Sequence, residues 1–362
     1  ASGEAGEAGE AGKVGAAGET EALPTGLLER AEAALPFTLT GDQKSAIEQL
    51  RRDISAPKPM ARLLQGDVGS GKTLVALLSS LPVIEAGGQV AFLAPTELLA
   101  RQHGENAAAF LEPLGIRIAL LHGGLEKSRK TPLLSALSGG DIDLIVGTHA
   151  LFTEEVSFRA LRYVIIDEQH KFGVQQRAKM VAKGEAPDLL LMTATPIPRT
   201  LTLTFFGDLD VSTIKTMPPG RKPVVTHLAR HSNAHKVYAA VGREIERGRQ
   251  AYFVYPRIGE EANGGENAGE RGAGAHGEPG GEAGLPSGPA QAAGNGLRDA
   301  ETMGRYLRER VFPGFRVVVI HGRIPEEQKS ERMREFVAGE ADILVATSVV
   351  EVGVDVPNAT CM

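Results

Sequence analysis

The sequence predicts an α/β protein made of two lobes, each built on a parallel β-sheet. Short apolar segments alternate with helical segments, which is the pattern of βαβ units. This alternation occurs twice, and the Pro- and Gly-containing stretch Met217–Pro223 interrupts it, so that stretch is the predicted linker. A chain of 362 residues also has the length expected of two domains.

The first lobe is expected at residues 23–219. Its beginning, residues 23–60, reads as helical and polar, and residues 42–54 have the apolar spacing of an amphipathic helix. Strands and helices then alternate, as in a parallel sheet covered on both faces. The predicted strands are Ala61–Leu64, Gln89–Leu93, Arg117–Leu121, Leu144–Val146, Tyr163–Ile166 and Leu189–Met192, and the helices include Thr73–Ile84, Glu97–Leu111 and Lys127–Leu137.

The second lobe is expected at residues 220–362, and we expect it to be incomplete. A further strand begins just before Met362. The other predicted strands are Val224–Leu228, Gln250–Val254, Arg316–Ile320 and Ile343–Ala346, and the predicted helices are His235–Glu246, Ala300–Arg310 and Glu326–Phe336.

Two tracts, 1–22 and 259–296, hold 19 of the 44 glycines. Glycine recurs at every third position from 3 to 18, but no proline precedes Pro24, so a collagen helix is excluded. We expect disorder in both tracts, with 259–296 as a surface insertion in the second lobe. The tracts carry net charges of −4 and −5 in a chain of −6, so the rest is +3. That charge permits a polyanionic partner without requiring one.

Several classes of protein are excluded by composition. No apolar run approaches the ~18 residues of a membrane span, and the beginning of the chain does not resemble a secretory signal. A single cysteine, Cys361, excludes an internal disulfide framework and fits a reducing compartment. We therefore expect a cytoplasmic protein without a membrane partner.

The segment Gly66–Thr73 matches the phosphate-binding pattern G-x-x-x-x-G-K-[ST] between a predicted strand and a predicted helix. In such a loop the backbone N–H groups converge on a phosphate chain, and glycine permits the close approach. Lys72 would reach the β- and γ-phosphates, and the Thr73 hydroxyl would bind Mg²⁺. The expected binding residues are Gly66, Asp67, Val68, Gly69, Ser70, Gly71, Lys72 and Thr73.

A second chemical signal lies where an apolar strand runs into Asp167 and Glu168. Ligands of open α/β sheets bind at the carboxyl ends of strands. Asp167 would hold Mg²⁺, directly or through water, and Glu168 would orient and deprotonate the attacking water. The catalytic candidates are thus Lys72, Asp167, Glu168 and His170. Alone, His170 would be a packing or capping residue, but its placement favours a polar link to the next motif.

These strings resemble the motifs of superfamily 2 helicases. Residues 167–170 resemble the DEAD/DEAH box, and Thr193–Thr195 resembles the motif that couples nucleotide and nucleic-acid sites. Longer strings resemble the RecG family of bacterial branch-migration DNA helicases: Thr40–Ile47, Gly66–Thr73, Phe172–Arg177, Thr193–Thr200 and Met217–Pro223. The loops Ala94–Leu98 and Gly147–His149 resemble backbone-contacting motifs, and His321–Arg323 and Ala346–Pro357 resemble motifs of the second lobe.

The resemblance implies two RecA-like lobes of a P-loop helicase core, with ATP and Mg²⁺ between them. By position, Gln43 would read adenine, Thr193 and Thr195 would couple the sites, and Gly353 and Asp355 would approach the γ-phosphate. The residues implied to contact DNA are Thr96, Arg101, Thr148, His149, Arg323 and Thr347.

The implied function is ATP-dependent unwinding of forked DNA and Holliday junctions by a monomer associated with the nucleoid. The family's arginine-finger motif and wedge domain do not occur in the sequence. We therefore expect a motor portion cut at its carboxyl end, which binds ATP but hydrolyses it weakly. Three alternatives stay open: a transcription–repair coupling translocase, which shares Thr193–Thr200, a P-loop ATPase that remodels protein, and a fragment that binds without turnover.

Overall fold

A computed structural model describes residues 26–195, 209–218, 224–255, 300–347 and 356–362. The expectations of disorder at 1–22 and 259–296 lie outside these ranges, as do Gly353 and Asp355. Among the described residues no helix combines the length and the apolar character that crossing a membrane requires.

The first lobe is a seven-stranded sheet in the order β3-β4-β2-β5-β6-β1-β7, and all its pairings are parallel. The strands are β1 (Ala61–Gly66), β2 (Gln89–Leu93), β3 (Ile118–Leu121), β4 (Leu144–Gly147), β5 (Leu161–Ile166), β6 (Asp188–Thr193) and β7 (Asp210–Ile214). The order places β6 between β5 and β1. The loops that leave these three strands therefore meet at one edge of the sheet, where ligands of open α/β sheets bind.

Helices cover the sheet, and their beginnings follow local capping chemistry. The helices are α1 (Leu27–Ala33), α2 (Gly41–Ile54), α3 (Lys72–Glu85), α4 (Glu97–Leu111), α5 (Lys127–Gly139) and α6 (Val174–Val181). The hydroxyl of Thr40 accepts the Gln43 N–H at the start of α2, and that of Thr96 accepts the Leu99 N–H at the start of α4. Both threonines lie in strings that the sequence analysis singled out.

Two apolar clusters form the core of the first lobe, one on each face of the sheet. Because neighbouring residues of a strand point to opposite faces, Leu64 belongs to one cluster and Leu63 to the other. The same alternation separates Phe92 from Leu93. Burial on both faces explains why these strands read as continuous apolar runs.

The second lobe has a four-stranded parallel sheet in the order β11-β8-β10-β9. The strands are β8 (Gln250–Val254), β9 (Val317–Ile320), β10 (Ile343–Ala346) and β11 (Ala359–Cys361). The helices are α7 (Ala234–Glu246), α8 (Ala300–Tyr306) and α9 (Glu326–Val337). Leu98 of α4 packs against the second lobe's cluster around Tyr252 and Phe336, so helix α4 also contacts the second lobe.

Four elements differ from the sequence-based prediction. The strand predicted at Val224–Leu228 was wrong: Val224 and Leu228 are fully or almost fully exposed, and no described strand pairs with this segment. β-branched side chains favour a strand only where a neighbouring strand completes the ladder. Strand β7 and helix α6 were not predicted. The helix predicted to Arg310 is α-helical only to Tyr306 and continues as a π-turn over Leu307–Val311.

Candidate functional site

The loop Gly66–Thr73 joins β1 to α3, as its sequence pattern predicts. Gly71, the residue before α3, has φ of +90°, and a Cβ there would collide with the Gln43 side-chain amide. Both the left-handed backbone and the close approach require glycine at this position. Inside the loop the Lys72 ammonium is buried and donates to the carbonyls of Gly66 at 2.7 Å and Asp67 at 3.0 Å.

Gln43 holds the phosphate-binding loop from helix α2. Its Nε2 donates to the Ser70 carbonyl at 2.9 Å, and its Oε1 accepts the Thr40 N–H at 2.9 Å. The side chain is only 3% exposed. The structure thus shows Gln43 bracing the loop, and its reading of adenine stays a prediction.

The neighbouring residue, Asp42, fastens a distant segment to the same helix. Its Oδ2 accepts the backbone N–H groups of Lys215 and Thr216, at 2.9 and 2.8 Å. These hydrogen bonds lower the pKa of the Asp42 carboxyl. Lys215 and Thr216 immediately precede the predicted linker between the lobes. Sequence reasoning missed this residue, although it stands beside Gln43 in the same string.

The two carboxylates follow β5 and lie in different surroundings. Asp167 is buried, and its Oδ2 lies 2.9 Å from Nε2 of His103 on helix α4. Glu168 is half-buried, and burial together with the adjacent Asp167 raises the pKa of its carboxyl. His170 and Lys72 act in the opposite direction on that pKa, so the phosphate-loop lysine lies within electrostatic reach of this carboxylate. The two predicted parts of the site therefore come together.

Glu168 also connects the carboxylates to the next motif. The backbone N–H of Ala194, which stands between Thr193 and Thr195 directly after β6, also lowers the pKa of the Glu168 carboxyl. The hydroxyls of those two threonines lie 2.9 Å apart. Glu168 has φ of +44°, which is rare for a residue other than glycine and is typical of functional positions.

His170 is exposed, and its Nδ1 lies 3.5 Å from Oε2 of Glu168. Among the described residues the link from the carboxylates to the Thr193–Thr195 motif is electrostatic, because the Ala194 N–H lowers the pKa of the Glu168 carboxyl. His170 contacts the carboxylate side of that link. Its catalytic role stays a prediction.

The donor set fits a nucleotide with Mg²⁺. A magnesium ion takes one or two carboxylates together with waters and phosphate oxygens, so it needs no cage of protein ligands. Among the described residues no group of three acidic, histidine or cysteine side chains could enclose a metal. The buried Ser70 hydroxyl has no hydrogen-bond partner in the part of the chain that the structure describes, as expected of a loop shaped for a ligand. Thr73 and Asp167 would hold the ion at this edge of the sheet.

Residues predicted to contact nucleic acid lie at the carboxyl ends of neighbouring strands. In the first lobe Thr96 follows β2, and Thr148 and His149 follow β4. His149 is exposed, whereas the Thr148 hydroxyl is buried and has no hydrogen-bond partner within the described ranges. Arg101, on the second turn of α4, is exposed and donates to Glu97 Oε1 at 2.9 Å.

The second lobe repeats this arrangement on a smaller scale. Arg323 is exposed in the loop after β9, and Thr347 is buried directly after β10, the strand that pairs with β9. Both loops leave the same edge of the second sheet. The structure groups these residues as the sequence suggested, while their contacts with DNA stay predictions.

Sequence reasoning missed His103. Leu99, Ala100, His103 and Ala107 form the buried stripe of α4, so a polar ring stands among apolar neighbours. The signal in the sequence was this spacing, since a buried histidine needs a polar partner. Nothing in the spacing identifies that partner as Asp167, 64 residues away.

Comparison with known proteins gives the same picture. Residues 40–204 match the DEAD/DEAH box helicase family, and residues 295–362 match the helicase conserved C-terminal domain. The chain is 50% identical over 343 residues to a protein named ATP-dependent DNA helicase RecG from Treponema pallidum, covering 93% of this chain and 45% of that protein. The protein of the same name from Thermotoga maritima is 44% identical, with 93% of this chain and 39% of that one covered.

Solved structures agree with these relatives. A structure described as RecG bound to a three-way DNA junction is 42% identical, with a TM-score of 0.70 over 92% of this chain and 39% of that one. A DEAD-box helicase bound to single-stranded RNA has a TM-score of 0.63 at 15% identity, over 92% of this chain and 65% of that one, which indicates a shared fold alone. The chain spans less than half the length of the curated relatives it matches.

Proposed function

We propose that this chain, which belongs to the RecG family of helicases, is an ATP-dependent motor acting on branched DNA. The observation that carries the proposal is the meeting of three loops at one edge of the first sheet. The phosphate-binding loop leaves β1, the Asp167–Glu168 pair leaves β5, and the Thr193–Thr195 motif leaves β6, which lies between them.

In the proposed chemistry each group has one task. The loop's backbone N–H groups and Lys72 bind the phosphates, so Lys72 exchanges its present carbonyl partners for phosphate oxygens. Mg²⁺, held by Thr73 and Asp167, neutralises charge on the phosphates when it is bound. Glu168 orients the attacking water and accepts its proton. Gly353 and Asp355 of the second lobe complete the site on the γ-phosphate side.

DNA is proposed to lie across the loops that carry Thr96, Thr148, His149, Arg323 and Thr347, with Arg101 beside them. A motor needs its nucleotide site to sense this surface. The Ala194 N–H, between Thr193 and Thr195, lowers the pKa of the Glu168 carboxyl, which supports a short electrostatic route between the two. Nucleotide binding then closes the lobes, hydrolysis reopens them, and the grip on DNA alternates.

Branched DNA is the proposed substrate because a relative at 42% identity is described as bound to a three-way junction. We propose action on forks and Holliday junctions by a monomer in the bacterial cytoplasm. Arg101 is one of the residues predicted to contact DNA phosphates. Each such contact steepens the fall of the logarithm of the binding constant with the logarithm of the salt concentration.

Substitution of the phosphate-loop lysine tests the proposal. Lys72→Ala is expected to weaken binding of Mg²⁺–ATP by about 10- to 100-fold, the equivalent of one charge-assisted hydrogen bond. The matched control is Lys58→Ala, since Lys58 is exposed and lies before β1. Binding is measured by titration of a fluorescent ATP analogue, and junction-stimulated phosphate release is measured in parallel.

Two results would overturn the proposal. One is an unchanged nucleotide affinity in the Lys72→Ala protein. The other is binding to a three-way junction that does not weaken as salt rises, because phosphate contacts release counterions on binding. The second result would favour a P-loop ATPase that acts on protein.

A further inference from the structure

Helix α4 reaches into the carboxylate site through one side chain. His103 is 8% exposed, its ring packs on Phe92 of β2 with centroids 4.9 Å apart, and its Nε2 lies 2.9 Å from Oδ2 of Asp167. Asp167 is equally buried, at 8%. The pair is therefore a fixed contact between a helix and the end of strand β5.

The contact determines how the Asp167 carboxylate is oriented. Its Oδ1 accepts the Glu168 N–H at 2.9 Å, and its Oδ2 faces His103. An ionised carboxylate only accepts hydrogen bonds, so His103 is the donor through Nε2–H. Each oxygen then has one protein partner and retains a lone pair for a further ligand. Without the imidazole, one oxygen of a buried carboxylate would lose its partner.

We propose that His103 is a positioning residue, which holds the Asp167 carboxylate in the orientation that binds the Mg²⁺ of a nucleotide. The proposal rests on the function proposed above, in which Asp167 is a magnesium ligand. Groups that orient metal-binding carboxylates from outside the coordination sphere change metal affinity by about 10- to 100-fold when they are removed. His103 acts through Asp167 and does not itself contact the nucleotide.

The location of His103 on α4 gives this contact a second consequence. The same helix begins at the cap Thr96 and carries Arg101, two of the residues predicted to contact DNA. A helix moves as a rigid element, so a displacement of its first turns also moves the imidazole. Nucleic acid bound at the start of α4 would thus act on the Asp167 carboxylate through His103, without involving the Thr193–Thr195 motif.

The test compares nucleotide affinity with and without Mg²⁺ in three variants. His103→Phe keeps a ring against Phe92 but has no donor, His103→Asn has a donor that is too short, and His103→Gln places an amide N–H near the position of Nε2. The control is Tyr163→Phe. Tyr163 lies on β5 away from Asp167, and the substitution removes its buried hydroxyl, which is hydrogen-bonded to Ser79. The probe is a fluorescent ADP titrated in EDTA and at rising Mg²⁺ concentration, with thermal unfolding recorded for every variant.

The Phe and Asn variants are expected to need about 10- to 100-fold more Mg²⁺ to reach tight binding, with unchanged affinity in EDTA. His103→Gln should bring the Mg²⁺ concentration needed for tight binding most of the way back to that of the unsubstituted protein. Tyr163→Phe should change only the unfolding temperature. A purely structural His103 would lower the unfolding temperature without moving the Mg²⁺ dependence, and that result overturns the inference. If the Phe variant does not fold, the Asn and Gln variants decide it. Absence of Mg²⁺-dependent binding in the unsubstituted protein would instead refute the proposed function.

Discussion

At the scale of single residues, the site depends on a pair of adjacent carboxylates with different surroundings. Asp167 is buried against His103, whereas Glu168 is half-buried beside Asp167 and Lys72. Burial and the neighbouring negative charge raise the pKa of Glu168, so its charged form is disfavoured in the folded protein. A raised pKa suits a group that must accept a proton from water.

The raised pKa of Glu168 predicts opposite effects of one substitution on stability and on turnover. Protonation of Glu168 favours the folded state, so its stabilising effect is full at low pH and is lost as pH rises through the raised pKa. At neutral pH the charge is therefore a cost, and Glu168→Gln should raise the unfolding temperature by a few degrees. The gain should shrink as pH falls towards the usual glutamate value of 4.5.

Turnover should fall about 100-fold or more in the same variant, because the glutamine amide cannot accept the proton. Thermal unfolding is recorded without nucleotide at neutral and mildly acidic pH, and phosphate release is recorded with junction DNA. A lower unfolding temperature at neutral pH, or retained hydrolysis, would contradict this reading of Glu168.

At the scale of elements, the amino-terminal turn of α2 contacts two separate parts of the first lobe. Thr40 caps the helix, Asp42 accepts two N–H groups of the segment after β7, and Gln43 donates to Ser70 of the phosphate-binding loop. Through these contacts, one helical turn connects the phosphate-binding loop to the segment that leads towards the second lobe. This turn lies within one of the strings that resemble the RecG family.

Removal of the Asp42 carboxylate should release that segment. In Asp42→Ala the amides of Lys215 and Thr216 lose their acceptor, so their hydrogen exchange should accelerate several-fold while exchange in β1 stays unchanged. Asp141→Ala is the matched control, because Asp141 is exposed and pairs with Arg117 at the opposite end of the sheet. Equal exchange of the two amides in the Asp42→Ala and unsubstituted proteins would show that the contact does not hold the segment.

The sequence allowed most of the strands to be predicted, because buried parallel strands such as Gln89–Leu93 read as short apolar runs between turn signals. Strand β7 escaped notice because its burial is confined to Ser212 and Ile214 at the edge of the sheet. The segment Val224–Leu228 has strand-like side chains but no neighbouring strand among the described residues. Local pattern carries no information about pairing partners.

In the functional site, too, some features could be predicted from the sequence and others could not. The phosphate-binding loop and the carboxylate pair could be predicted, since their chemistry is set by consecutive residues. The partner of Asp167 could not, because His103 reaches the carboxylate only through the packing of α4. Contacts across 64 residues, as between His103 and Asp167, depend on the sheet order that brings β2, β5 and β6 together.

At the scale of the whole molecule, the two parallel sheets have separate apolar cores, and the proposed motor would work by changing their separation. The proposed γ-phosphate residues, Gly353 and Asp355, belong to the second lobe and lie outside the described residues, and through them we propose that this lobe responds to nucleotide. A ligand shifts such an equilibrium only by binding one arrangement better than the other. We propose that Mg²⁺–ATP satisfies that condition by binding between the lobes.

Lobe closure can be measured by energy transfer between two dyes. Cys361 is the single cysteine of the chain, so Cys361→Ser leaves a background for Glu105→Cys on α4 and Glu309→Cys in the second lobe, both at exposed positions. A non-hydrolysable ATP analogue with Mg²⁺ should raise the transfer efficiency. Adding Lys72→Ala should shift this rise to higher analogue concentrations, because the loop then binds phosphate more weakly. ADP should give a smaller change, since it lacks the γ-phosphate that Gly353 and Asp355 would contact. The same efficiency with and without the analogue would mean that nucleotide does not drive closure. The proposed alternation of DNA binding would then have to arise from something other than lobe closure.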